Sequence, residues 1–448
     1  MRRSTSTSRL ATLATLAVLA ASGATPVAAQ PAVADSAASR GTWSVGAAAV
    51  GLVTHAAPAY DGRSATEGYL TQPVVMAHAR LPRLGLVATG TLNLEGVTLE
   101  RGELDAGIWG EGYVDRRHPH TLVHEAVVSV GGRLGGRGRA AWSLSGGRGF
   151  VPFGSDDPMS RPLVKFPVNH HLSHLLERYV AMAGVRGSPG LLEVALFNGD
   201  EPTGPYAWPA ARRFGDSWAA RATLTPAPGL ELSASVAAVA SPEHRGGQGL
   251  DQHKLHAGAR LARGDGATPR LYLLVEAART DDRAGGRRIF RYESLLAEGA
   301  ARRGPWMVAA RLERTTRPEE ERLVDPFRSA RPHAEGSIIG LTRWDVATLG
   351  ATRELAVARR LRVAPLVEAS WSRATARVRP AVFEPRRFYG ASGLWGVSVG
   401  VRLGAGAGHA RMGRYGVAAQ GGPAPHDAMH HAAPAATPTS PGAPPDSP

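Results

Sequence analysis

The chain has 448 residues, no cysteine and a formal net charge of +14. Lack of cysteine excludes disulfides, thiolate metal sites and a cysteine nucleophile. The positive charge is almost wholly arginine, Lys165 and Lys254 being the only lysines. Those arginines are scattered through alternating segments rather than gathered on one helix or stripe, which argues against nucleic acid and leaves anionic lipid headgroups or anionic solutes as partners.

Residues 1–29 read as a secretory signal peptide: Arg2 and Arg3 precede an apolar run from Leu10 to Ala21, and Val27-Ala28-Ala29 supplies the cleavage site. A short segment, 30–40, follows. No later stretch offers the roughly 18 uninterrupted apolar residues of a membrane-spanning helix. The expectation is an exported chain without helical spans.

From 41 to 404 the recurrent unit is a run in which apolar and polar positions alternate. Leu230, Leu232, Ala234, Val236 and Ala238 oppose Glu231, Ser233 and Ser235; Val308, Ala310 and Leu312 oppose Arg311 and Glu313; Trp395, Val397, Val399, Val401 and Leu403 oppose Ser398 and Arg402. Each is a strand with one dry and one wet face. Tight Gly/Pro connections at 131–138, 187–190, 226–229, 263–269 and 302–305 alternate with longer ones at about 148–176, 198–215, 241–251, 280–289, 315–335 and 374–392. Short turns at one end and long loops at the other predict an antiparallel transmembrane β-barrel of about 14–16 strands in the outer membrane, with the turns periplasmic. Inward Arg221, Arg311, Arg362 and Arg402 then bias its lumen toward anions. A soluble exported all-β binding protein is the alternative, with its apolar faces packed on one another. Residues 405–448 are expected to form a Gly/Pro/Ala-rich disordered tail, since from Gly421 onward the composition cannot bury a core.

With 226–229 periplasmic, four polar clusters fall on the outer rim. They comprise Asp115, Arg116, Arg117, His118 and His120, with His124 and Glu125 following; Asp156, Asp157, Arg161, Asn169, His170, His171 and His174; Asn198, Asp200 and Glu201; and Glu243, His244 and His253. The run Asp115-Arg-Arg-His-Pro-His120, the segment Gly154 to Arg161 followed by Asn169-His-His171, then Phe197-Asn-Gly-Asp-Glu-Pro202, Asp216-Ser-Trp218 and Ser241-Pro-Glu-His244 resemble a family of largely uncharacterised bacterial outer-membrane barrels. The resemblance is clearest over residues 110–256. Because members are often associated with copper or other heavy-metal resistance genes, it implies metal handling.

Each cluster admits a plainer chemistry. His118, His120, His170, His171 and His174 are candidate copper or zinc ligands, with Met159 and the tail's His426, Met429, His430 and His431 as soft additions; the alternative is hydrogen bonding within loops. Strand alternation puts His124 and Glu125 on opposite faces, so at most one joins a lumen site. Asp115 with Arg116 or Arg117, and Asp157 with Arg161, are expected as salt bridges pinning loops. Asp200 and Glu201 sit in turn chemistry, with calcium as the functional option. A hydrolase reading finds neither a G-x-S-x-G elbow nor an H-E-x-x-H helix, so the expectation is a porin-like barrel passing small solutes rather than an enzyme.

Overall fold

The computed structural model describes residues 41–60, 62–99, 103–104, 120–135, 140–264, 270–320, 338–358, 361–377, 383–406 and 411–420. Seventeen antiparallel strand segments make one sheet: β1 Thr42–Tyr60, β2 Arg63–Leu81, β3 Leu86–Asn93, β4 Val123–Leu134, β5 Ala140–Gly149, β6 Arg178–Gly187, β7 Gly190–Phe197, β8 Ser217–Ala227, β9 Leu230–Val239, β10 Asp251–Arg263, β11 Leu271–Ala284, β12 Arg287–Arg303, β13 Trp306–Glu320, β14 Ile338–Arg353, β15 Leu355–Ala358, β16 Leu361–Ala376 and β17 Leu394–Gly406. β14 and β15 meet β16 in one continuous register, Thr352 opposite Leu366 and Leu355 opposite Val363, so they are two lengths of a single stave and the wall has sixteen. The sheet closes where β1 pairs with β17, from Gly46 opposite Gly406 to Ala57 opposite Trp395.

The two-residue period decides which face is which. Val308, Leu312, Leu349 and Val399 are each more than half exposed, while Arg311 and Glu298 are buried. A soluble sandwich would press those apolar rows against a second sheet. Here the only sheet among the described residues closes on itself and its apolar rows are outermost, the arrangement that lipid requires. Outward Trp43 and Trp306 stand at the turn-bearing end, and Trp218, Trp371 and Trp395 toward the other, as interfacial girdles do. The chain is a transmembrane β-barrel of the outer-membrane kind.

One connection expected to be long is short. Residues 280–289 are not a long loop: β11 runs to Ala284 and β12 starts at Arg287, joined by Gly285 and Gly286 at φ 54° and 81°. Two successive left-handed residues form the tight turn whose twist suits a hairpin.

Candidate functional site

The connection between β5 and β6, residues 150–177, was expected on the rim. It lies inside the barrel and crosses it. Phe153, Met159, Leu163, Phe166, Val168 and Leu175 are all buried. Backbone groups taken out of water need partners, and the wall supplies them. Glu368 on β16 accepts from Val164 N at 2.6 Å and Lys165 N at 3.1 Å, and Glu313 on β13 accepts from Val168 N at 2.8 Å. Arg311 donates to Lys165 O at 2.7 Å, and Gln72 on β2 donates to Val164 O at 3.0 Å. Where the loop doubles back, Gly154 has φ +78° and a Cβ there would stand 1.6 Å from Ser173 O, so only glycine fits.

Glu276 on β11 is the principal anchor. Arg161 reaches its Oε1 at 3.2 and 3.3 Å, Asn169 Nδ2 donates to it at 2.8 Å, Ser155 Oγ donates to its other oxygen, and His256 Nε2 lies 3.2 Å away. Burial would lower the Arg161 pKa; the Glu276 carboxylate outweighs it and holds the guanidinium above its ordinary value. The expected Asp157–Arg161 bridge is therefore replaced. Asp157 instead caps a 3-10 turn, its Oδ1 accepting from Met159 N at 2.8 Å.

A second insert fills the lumen along β4 to β10. Residues 411–420, which composition assigns to the tail, pack inside the wall. Arg411 donates to both oxygens of Glu231 at 2.7 and 2.8 Å and to Asp156 at 2.7 Å, and Arg260 Nε stands 2.9 Å from the second Asp156 oxygen. Tyr415 donates to Glu125 at 2.7 Å, Gly413 N donates to the same oxygen at 3.0 Å, and Val417 N donates to Ser143 at 3.0 Å. Burial would raise the Asp156 pKa, but Arg411, Arg260 and Arg414 hold it far below the carboxylate range. Arg414 is itself lowered to about 9 by burial and by the charges of Arg221 and Arg411.

The histidines gather around the inward loop without forming a ligand set. His120 Nδ1 lies 2.8 Å from Glu95, and His124 Nδ1 lies 2.8 Å from Glu177. His170 stacks on Phe166 at 5.2 Å between ring centres, edges against His120, and has neither ring nitrogen hydrogen-bonded. Both nitrogens of His174 face backbone carbonyls, His170 O at 3.0 Å and Asp156 O at 2.9 Å. Among the described residues no three of His, Asp or Glu stand together as a metal site. Asp115, Arg116, Arg117, His118 and the tail's His426, Met429, His430 and His431 lie outside the described residues. His124 and Glu125 were expected on opposite faces, yet both are buried. The register slips between Thr91/Glu125 and Leu92/Val123, so His124 is the extra residue of a β-bulge and both side chains turn inward.

No family model matches the chain, and no curated protein matches it. Among solved structures, an anion-selective porin from Comamonas acidovorans aligns at TM-score 0.48 and 11% identity over 82% of this chain and 100% of its own. A loop-deleted OmpT of Vibrio cholerae aligns at 0.45 and 8%, covering 81% and 99%, and Salmonella typhi OmpF at 0.46 and 10%, covering 81% and 97%. At these values the barrel assignment rests on this chain's own strand pairing.

The remaining predicted residues hold the outer ends in place. Asn198 accepts from Tyr179 N at 2.7 Å, and Asp200 accepts from Ala210 N at 2.7 Å, which is turn chemistry. Glu201 accepts from Arg178 at 2.8 Å. Glu201, Glu243, His171 and Lys254 line a cavity of about 30 Å³ between the inward loop and β10–β13. The anion bias expected of the wall arginines is cancelled in place at two of them: Arg221 meets Glu193 at 2.8 and 3.0 Å, and Arg311 meets Glu298 at 2.6 Å. Arg402 donates to Pro162 O at 3.4 Å, and Arg362 donates to Gly406 O at 3.2 Å.

Titration of the histidines gives the inward loop a pH window. Burial and the neighbouring His171, His174, His120 and Arg161 push His170 well below 6.5, so the seated loop keeps it neutral while a released loop would protonate it. That share of the seat is complete above about pH 6.5 and is lost as pH falls. Burial would lower His120 too, but Glu95 raises it to about 9; that pair lies outside 150–177, and its contribution to the fold is complete below 6.5 and lost as pH rises through 9. The loop is expected to be most protease-resistant above about pH 6.5. Cleavage within 150–177 should increase between about pH 7 and pH 4, and His170→Phe should flatten that acid limb; unchanged acid sensitivity in the variant removes His170 as its cause.

Proposed function

We propose that the chain is an outer-membrane channel for small solutes, small anions foremost, whose lumen is held shut by the inward loop and residues 411–420. The observation that carries this reading is a buried polar layer between two cavities. Wall residues facing the inserts, among them Glu193, Arg221, Glu298, Arg311 and Glu368, are shielded from water, whereas a standing pore would leave its lining wet. The small cavity with Glu201 and Glu243 lies on the loop side, and a vestibule of about 970 Å³ opens on the turn side. A barrel serving only as an anchor has no use for ion-paired rows aimed at its axis; in a channel, such rows become the lining once an insert moves.

Anion preference follows from the vestibule rather than from the paired wall arginines. The charged residues lining it are Arg80, Arg133 and Arg186, beside His78. Cationic linings raise the local concentration of anions. The heavy-metal role implied by the resemblance finds no support in the geometry of the described histidines. Proteoliposomes test the proposal: a chain ending at Gly406 should release chloride faster than potassium. Faster potassium release contradicts the anion preference, and no release of either contradicts the channel.

A further inference from the structure

The lipid-facing side of the barrel is not uniform. Near the loop-bearing ends of β11–β16 its outward rows carry Arg279, Arg291, Arg314, Arg343 and Arg373, with Arg377 just past β16. Strand register makes them neighbours: Arg279 lies opposite Glu293, Arg314 opposite both Leu295 and Asp345, and Asp345 opposite Arg373. Carboxylates on these rows are shared. Arg279 and Arg291 meet Asp281 at 2.5 and 2.6 Å, and Arg314 and Arg343 meet Asp345 at 2.5 and 3.3 Å. Counting Glu293 with Asp281 and Asp345, the six arginines still outnumber the carboxylates and leave the patch positive. On β1 and β5–β9 the equivalent outward positions hold His55, Gly146, Tyr179, Leu196, Trp218 and Ala238.

Directly beside this patch the outer face is concave. A groove of about 710 Å³ is floored by Ala222, Ala234, Ala257 and Ala277 and bounded at its loop-side end by Arg279, Arg314 and Arg343, with Glu293 beside them. Leu255 and Leu295 on its walls are each nearly half exposed, so it faces hydrocarbon. Arg314 stands two residues beyond Leu312 on one outward row, about 7 Å along the strand. That puts its guanidinium at the edge of the apolar band, where headgroup phosphates lie. The fork of an arginine matches phosphate oxygens bidentately.

We infer that this face binds a phosphate-bearing lipid of the outer leaflet, with its phosphate among Arg279, Arg314 and Arg343 and an acyl chain in the alanine-floored groove. A second copy of the chain is a poorer occupant. The described outward positions on β5–β9 offer no carboxylate to meet the surplus guanidinium charge, and desolvating like charges opposes association.

Native mass spectrometry of the full chain in detergent, titrated with bisphosphorylated lipid A, tests the site. Lipid A should stay bound to the unaltered protein and bind at least about tenfold more weakly to the Arg314→Ala/Arg343→Ala variant, near-surface arginines each contributing measurably to anionic-lipid affinity. Ala257→Trp, which fills the groove and leaves the arginines in place, should weaken it as well. The heat-dependent gel shift of each variant reports that the barrel is folded. Equal affinity in all three proteins overturns the inference. So does loss only in the arginine variant together with competition by millimolar inorganic phosphate, which would mark a headgroup site without an acyl chain. Loss of a dimer or trimer in either variant, with lipid binding unchanged, would assign the face to copy-to-copy contact instead.

Discussion

Glu276→Ala is expected to unseat the inward loop while the barrel stays closed. The substitution removes the only carboxylate that Arg161 meets at ion-pair distance among the described residues, and with it the acceptor for Asn169 and Ser155. Breaking one side of a buried ion pair costs about 3–5 kcal/mol, most of it the penalty of the stranded partner. That penalty falls on the loop, because β11 and its neighbours are held by their own ladders. Limited proteolysis should cut within 150–177 in the variant and not in the unaltered protein, and the heat-dependent gel shift should persist in both. Glu276→Gln, which keeps the acceptor oxygen, should fall between them. A loop that stays resistant in Glu276→Ala would mean that Glu313, Glu368 and Arg311 suffice to hold it.

The second large effect belongs to residues 411–420. Arg411 bridges Asp156 on the inward loop and Glu231 on β9, so the two inserts are tied to each other as well as to the wall. Hydrogen bonds to charged groups are worth roughly 1.5–3 kcal/mol each. Losing about 3 kcal/mol shifts a seated-to-released equilibrium by about a hundredfold. Arg411→Ala should therefore raise solute flux through the barrel by up to about that factor, and truncation after Gly406 by at least as much. Flux that is identical in the full and truncated chains would show that this segment lines the lumen without closing it.

Much of the wall was legible in the sequence, because strand alternation in lipid has a single physical meaning. The rows read from β9, β13 and β17 face outward and inward as their hydropathy requires. What escaped depended on partners distant in sequence. The bulge at His124 exists only in its pairing with β3, so two residues that alternation separates both reach the interior. The inward course of 150–177 left one usable signal: Phe153, Met159, Leu163, Phe166 and Val168 are too apolar for a loop bathed in water. Nothing local in residues 411–420 announces their place, since the acids that receive Arg411 lie 255 and 180 residues away. Asp157 and Arg161 are close in sequence and invite pairing, but Glu276 on the facing wall offers Arg161 a carboxylate inside a better-bonded cluster.

The proposed channel is shut in the resting protein and opens only when an insert moves. Planar-bilayer recording of the unaltered full-length chain measures this most directly. A silent membrane interrupted by brief openings is expected, with openings becoming frequent after Arg411→Ala. A steady, open conductance from the unaltered protein would contradict it.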